Sequence, residues 1–279
     1  MRWIATRVES YRPCAFQFFA GYGLDLHEIG EELTEADAAT RGTVIHEILE
    51  DVLRPLAEGG RPLVPETEEE ALQRLRRRGR ELWREAPARH HFGRAALWRL
   101  GWENAADGLE RLIRREARRN QALGTARIAG LEEPIAIALP GIDPELLLRG
   151  NIDRVDAGPG FAQIVDYKSG RAISRRAVER GERLQLQLYA LAAREQLGAG
   201  RLIARYAYLD PRAEEWELDS AKPDDERLIE AAAAHAAAVR AQVSAGDFRV
   251  NPQVTPCPSY CDFRHICRVN QFSRWKRWS

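Results

Sequence analysis

The chain has 279 residues, 44% hydrophobic and 30% charged, enough apolar material for one large domain or two modest ones and too much for wholesale disorder. Its 42 basic residues balance 42 acidic ones, which excludes a uniformly basic nucleic-acid binder. No apolar run approaches the ~18 residues of a membrane-spanning helix, MRWIATRVES lacks a signal-peptide core, and four cysteines are too few for a secreted disulfide scaffold, so a cytoplasmic protein is expected.

Residues 7–22, RVESYRPCAFQFFAGY, carry aromatics at helical spacing around Pro13 and Cys14 and read as a short helix or two-part turn. Thr34-Glu35-Ala36-Asp37 resembles a capping box. The helix it opens should reach about Arg54, where Pro55 ends or kinks it, with Ile45, Ile48, Leu49, Val52 and Leu53 on one face. After a loop at Gly59–Pro65, Arg- and Trp-rich helices are predicted near 66–85 and 93–121. The period then changes. Strands are predicted at 128–139, 145–156 and 161–168, the last two joined by the turn Ala157-Gly158-Pro159-Gly160. A helix at 174–197, a strand at 201–209, a short strand at 214–218 and an Ala-rich helix at 224–245 follow. The order implies an α/β core (126–246) behind a helical part (1–125), with an aromatic, basic, cysteine-bearing tail (247–279).

Charge is unevenly placed. Residues 1–70 hold 6 basic and 15 acidic residues, whereas 71–120 hold 14 basic and 6 acidic. Such a stripe can contact phosphates, although a solvated helix face is the commoner reason for one. The basic residues are 39 Arg and 3 Lys, so each lysine is notable. Methionine occurs only at position 1, which fits a domain of a longer protein.

Asp166-Tyr167-Lys168 ends an apolar strand, and strand alternation puts Asp166 and Lys168 on one side. Pairing through the 157–160 turn would bring Asp153, in GNIDRVD, close to Asp166. Buried unpaired charge is costly, whereas two converging carboxylates make an oxygen-ligand site for Mg²⁺ or Mn²⁺. A neighbouring ammonium can orient and acidify a water or neutralise a phosphate oxygen. His46 and Glu50 share a helix face, and His46 by itself reads as an ordinary half-buried histidine. Gln185 and Tyr189 are a polar pair at i,i+4 in LQLQLYALA; they either reach the active site or are a half-buried tyrosine and its partner.

Cys257, Cys261 and Cys267 form C-x3-C-x5-C, and the remaining cysteine is Cys14. One four-thiolate site is suggested, either zinc or an iron–sulfur cluster.

Together these residues resemble the RecB-type nucleases of the PD-(D/E)xK superfamily, specifically the iron–sulfur branch with the AddB-type nuclease domain and the four-cysteine CRISPR-associated nucleases. TRVESYRPCAFQFF is similar to the family's opening motif, GTVIHEILE to its histidine motif, GNIDRVD and VDYKSG to its two core motifs, LQLQLYALA to its Gln–Tyr helix motif and the cysteine triplet to its cluster motif. The first cysteine interval is three residues where two is common, and Ala15 stands where Pro is usual. The resemblance implies a single restriction-endonuclease-like domain, a central mixed sheet flanked by helices, with the cysteine tail joined to Cys14. It implies Mg²⁺ or Mn²⁺ on His46, Asp153, Asp166 and the Tyr167 carbonyl. Catalysis would then rest on Asp153, Asp166, Lys168, Gln185 and Tyr189. A [4Fe–4S] cluster would sit on Cys14, Cys257, Cys261 and Cys267. The implied activity is DNA cleavage, by an exonuclease module beside a helicase in double-strand-break repair, with the Arg-rich stretches 71–120 and 171–183 guiding the strand. The competing reading is a non-catalytic module that grips DNA ends and scaffolds a helicase; it would be expected to lack Asp166 or Lys168, and both are present.

Overall fold

A computed structural model describes residues 3–26, 38–90, 98, 100–139, 143–250 and 261–267. The segment 7–22, expected as a short helix or a two-part turn, is divided at Pro13 into α1 (Ala5–Tyr11) and α2 (Ala15–Phe18), the latter continued by a π-helical turn over Phe19–Gly23. The Thr34 capping box lies outside the described residues. Helix α3 (Ala38–Glu58) does not stop at Arg54 but runs through Pro55. Proline at 55 leaves the Asp51 carbonyl without its helical donor, and Arg74 Nε donates to that oxygen at 2.7 Å. The same device recurs further on. The helix expected at 66–85 is α4 (Pro65–Arg74), a π-helical turn (Leu75–Gly79) and α5 (Arg80–Arg89), which contains Pro87. The carbonyl freed by Pro87 is that of Trp83, and it accepts from Trp98 Nε1 at 2.8 Å. The long amphipathic α6 (Trp102–Leu123) ends on Gly124 in the left-handed conformation.

The strands form one sheet in chain order. β1 (Arg127–Leu139), β2 (Asp143–Gly158) and β3 (Phe161–Lys168) are an antiparallel meander. β4 (Arg201–Tyr208) joins parallel to β3, and β5 (Glu217–Asp219) lies antiparallel to β4 at the edge. The parallel pair needs a crossover, which is made by α7 (Arg175–Glu179) and α8 (Gln185–Leu197), not by one helix over 174–197. Gly181, at φ +64, turns the chain between them. Then come α9 (Pro223–Ser244) and the single turn α10 (Arg264–Cys267).

The sheet is covered on both faces. Val8, Phe18, Ile164, Leu188, Tyr206 and Ile229 belong to the core under α1, α2, α8 and α9. Ile45, Leu49, Leu72, Leu109, Val165 and Tyr167 belong to the core under α3 to α6. Strand β3 is therefore buried on both faces up to Tyr167, and only Lys168 at its end reaches partial exposure. Tail residues return to the N-terminal helices: Tyr11 Oη donates to the Asp247 carbonyl at 2.6 Å, Phe19 and Phe248 stack with centroids 4.6 Å apart, and the Phe263 ring packs over Gly21. No described helix is long and apolar enough to cross a membrane. The expected mixed sheet, flanking helices and helical N-terminal part are all observed.

Candidate active site

The site opens where the β2–β3 ladder stops. Strand pairing runs from Gly158↔Phe161 to Arg154↔Val165. Beyond it the Tyr167 N–H donates to Asp153 Oδ2 at 2.6 Å, so a side chain takes a bond that a neighbouring strand would otherwise accept. Asp153 Oδ1 lies 3.5 Å from His46 Nδ1, and His46 Nε2 lies 3.0 Å from the Tyr167 carbonyl oxygen. Helix α3 supplies His46 because Ile45, Ile48, Leu49 and Val52 anchor its other face in the core. The structure thus brings the expected His46, Asp153 and Tyr167 groups together, with Asp166 in the adjoining position.

Sequence reasoning did not single out Glu132. Its partners in register are Leu131↔Arg154 and Glu133↔Ile152, which sets Glu132 opposite Asp153. The backbone there is left-handed, φ +46, a costly conformation for a residue other than Gly, Asn or Asp and one that clusters at functional sites. Ligand atoms of His46, Glu132 and Asp153 all lie within 4.8 Å of one another. The signal available was two adjacent acids, Glu132-Glu133, interrupting an apolar strand before Pro134.

Electrostatics agree with a cation site. Burial, then the Asp153 charge, push the Asp166 carboxyl up to about 7. Burial, then Asp153, also raise Glu132. For His46, burial pulls downward but is outweighed by the hydrogen bond and charge of Asp153 and the charge of Asp166, and the imidazole is raised. Burial leads the shifts of Asp166 and Glu132, and neighbouring negative charge adds to all three, the condition that a divalent cation relieves. Carboxylate, imidazole and carbonyl donors suit Mg²⁺ or Mn²⁺. The residues present therefore fit such an ion.

Lys168 Nζ lies 2.5 Å from Asp166 Oδ2, as strand alternation requires. It donates to Gln185 Oε1 at 3.2 Å and stands over the Tyr206 ring, 5.3 Å from the centroid. Gln185 Nε2 in turn donates to Tyr189 Oη at 3.2 Å. The α8 pair thus reaches the lysine through one unbroken chain of bonds.

In the Arg-rich stretch, Arg74, Arg76, Arg78, Arg80, Arg114, Arg115 and Arg119, seven of its fourteen basic residues, each pair with a carboxylate of a neighbouring element or turn. Trp83 and Trp98 are buried and stacked on each other, centroids 3.7 Å apart. Of the cysteines, Cys14, Cys261 and Cys267 are free and half-buried, and Cys257 lies outside the described residues.

No curated protein matches the chain. A crystal structure of a "putative exonuclease" from Eubacterium rectale aligns with 95% of this chain and 88% of that one, at 12% identity and TM-score 0.50, which shows a shared fold. The structure of a protein designated SSO0001 aligns with 50% of this chain and 59% of that one, at 16% identity and TM-score 0.30. Residues 2–268 match the PD-(D/E)XK nuclease superfamily. With almost the whole chain so matched, and a carboxylate–lysine centre at the end of β3, the protein belongs to the PD-(D/E)XK nuclease superfamily, whose members cleave phosphodiesters with divalent metal ions.

Proposed function

We propose that the chain is a Mg²⁺- or Mn²⁺-dependent deoxyribonuclease. The observation that carries this is the convergence of His46, Glu132 and Asp153 within 4.8 Å beside the Asp166–Lys168 pair. His46, Glu132, Asp153, Asp166 and the Tyr167 carbonyl would hold the ion. When bound, the ion supplies Lewis-acid stabilisation of charge on the phosphate and acidification of a water. Lys168, held between Asp166 and Gln185, orients that water and takes a share of its negative charge as it attacks in line. Gln185 and Tyr189 fix the ammonium's direction. The intact Asp166–Lys168 pair favours this reading over a non-catalytic DNA-end-binding module. The test is cleavage of end-labelled single- and double-stranded DNA with Mg²⁺, Mn²⁺ or chelator. Ion-dependent cleavage that Asp166→Ala abolishes, with DNA binding kept, is the expected result; binding without cleavage under every condition would sink it.

The finer assignment is the iron–sulfur, AddB-like branch, in one domain spanning the chain. It is supported by the packing of Phe248 and Phe263 against the segment that follows Cys14. Cys14, Cys257, Cys261 and Cys267 would hold a [4Fe–4S] cluster. Anaerobically prepared protein should be brown and contain iron and inorganic sulfide, bleaching in Cys14→Ser; stoichiometric zinc without sulfide would reject the cluster. An exonuclease module working beside a helicase in break repair completes the reading, because tethering raises the local concentration of DNA ends for a protein without a net attractive field. Adding the helicase should make slow cleavage processive.

A further inference from the structure

Beside the candidate metal site, on the α3–α6 face of the sheet from which His46 projects, lies a buried network of charged groups. Arg154 is fully buried and spends its whole guanidinium there. Nη1 donates to Tyr167 Oη at 2.6 Å, Nη2 to Glu116 Oε2 at 2.6 Å, and Nε to Asp156 Oδ2 at 3.1 Å. Arg205, also buried, donates to the same Glu116 oxygen and to Gln163 Oε1 at 3.2 Å. Gln163 Nε2 donates to Asp156 Oδ2 at 3.0 Å. Two guanidiniums meet two carboxylates, so the formal charge closes. Buried pairs of this kind add little stability over apolar packing, and their best-attested use is to specify one register.

The register in question is that of the site. Arg154 follows Asp153 in the chain, and Tyr167 follows Asp166. Asp153 accepts from the Tyr167 N–H, and Arg154 donates to the Tyr167 hydroxyl. The two strands are thus joined by two side-chain bonds at the point where their backbone ladder ends. Both polar groups of the Tyr167 backbone are committed to the site, the N–H to Asp153 and the carbonyl beside His46. A shift of the Tyr167 ring would move both together.

We propose that Tyr167 is a positioning residue, clamped by Arg154, which Glu116 holds in turn, and that its hydroxyl sets the geometry of the cation ligands. The inference rests on the metal-dependent reading above. Its test is a calorimetric Mn²⁺ titration of the full chain without DNA, comparing wild type with Tyr167→Phe, Arg154→Lys and the control Leu109→Ala, with melting temperatures measured alongside. Leu109 is buried in the same core on α6 but bonds to none of these groups. Tyr167→Phe is expected to weaken Mn²⁺ binding about tenfold, the usual cost of losing a group that supports a ligand. Arg154→Lys, which keeps a charge but loses the planar fork, is expected to do the same. Leu109→Ala should lower the melting temperature at least as far while leaving Mn²⁺ affinity within about twofold of wild type. Wild-type affinity in Tyr167→Phe, or an equal loss in Leu109→Ala, overturns the proposal while sparing the functional reading. Failure of the wild type to bind Mn²⁺ overturns both.

Discussion

The Lys168 ammonium donates to Gln185 Oε1, 3.2 Å away across the β3–α8 boundary, while it remains paired with Asp166. Two acceptors hold it in one place, as a lysine must be held if it is to orient a water. Lys168→Ala is expected to lower single-turnover cleavage by about 10²–10³-fold, the range for a lost charge-stabilising donor. Gln185→Ala should lower it about tenfold. DNA affinity should stay within about twofold in both, measured by fluorescence anisotropy in Ca²⁺. A normal rate in Lys168→Ala would remove the lysine from the mechanism.

Gln185 owes its place to a residue 176 positions earlier. Glu9, 6% exposed, accepts from the Leu184 and Gln185 N–H groups at 2.7 and 3.0 Å and from Arg183 Nη1 at 3.0 Å. It caps α8 from outside the helix and complements its dipole. Glu9→Ala should cost roughly 1–2 kcal/mol of stability by urea denaturation. It should also slow cleavage, but not in a Gln185→Ala background, because residues acting through one contact are not additive. Additive losses would separate Glu9 from the site.

Glu132 tests the exchange of stability for function. Glu132→Gly removes a carboxylate from the cation site and also removes a side chain from a left-handed position. The expected result is a chain as stable as wild type or more stable by up to about 1 kcal/mol, with Mn²⁺ affinity reduced about tenfold. A stability loss with unchanged Mn²⁺ binding would make Glu132 structural.

Glu116 provides a pH signature. Its burial raises its carboxyl, but Arg205 and Arg154 outweigh that and bring it down to about 2 from 4.5. A depressed folded pKa stabilises above the unfolded value and loses that contribution as pH falls from about 4.5 toward 2, worth roughly 3 kcal/mol. Asp156, raised by burial, works in the opposite sense within the same window. The difference between wild type and Glu116→Gln carries the titration of the glutamate together with its effect on Asp156, which the Glu116 charge helps to raise. That difference in unfolding free energy should be largest near pH 6–7 and shrink steadily below pH 4.5; a constant gap would contradict the assignment.

Much was legible in the residues alone because it depends on local periodicity. Alternation located β2, β3 and β4 to within a residue or two, and put Asp166 and Lys168 on one side. The spacing of Ile45, Ile48 and Leu49 gave α3 its buried face, from which His46 projects. Local rules failed where a distant group altered the outcome. Pro55 did not end α3, since Arg74 bonds the carbonyl it frees. The helix at 174–197 broke at Gly181, with Glu9 receiving the new N-terminus.

The sequence by itself determined the fold class, the acid–lysine chemistry at the end of β3 and the family motifs, all carried by short spacings. Only the tertiary structure decided that Glu132 joins His46 and Asp153, that arginines of the basic stripe such as Arg76 and Arg80 pair with carboxylates of α6, and that a buried Arg154–Glu116 pair backs Tyr167. The physical reason is the same in each case. Hydrogen bonds and ion pairs act over about 3 Å in space, and partners 38 to 86 positions apart, such as Glu116 with Arg154 or His46 with Glu132, have no common period along the chain to reveal them.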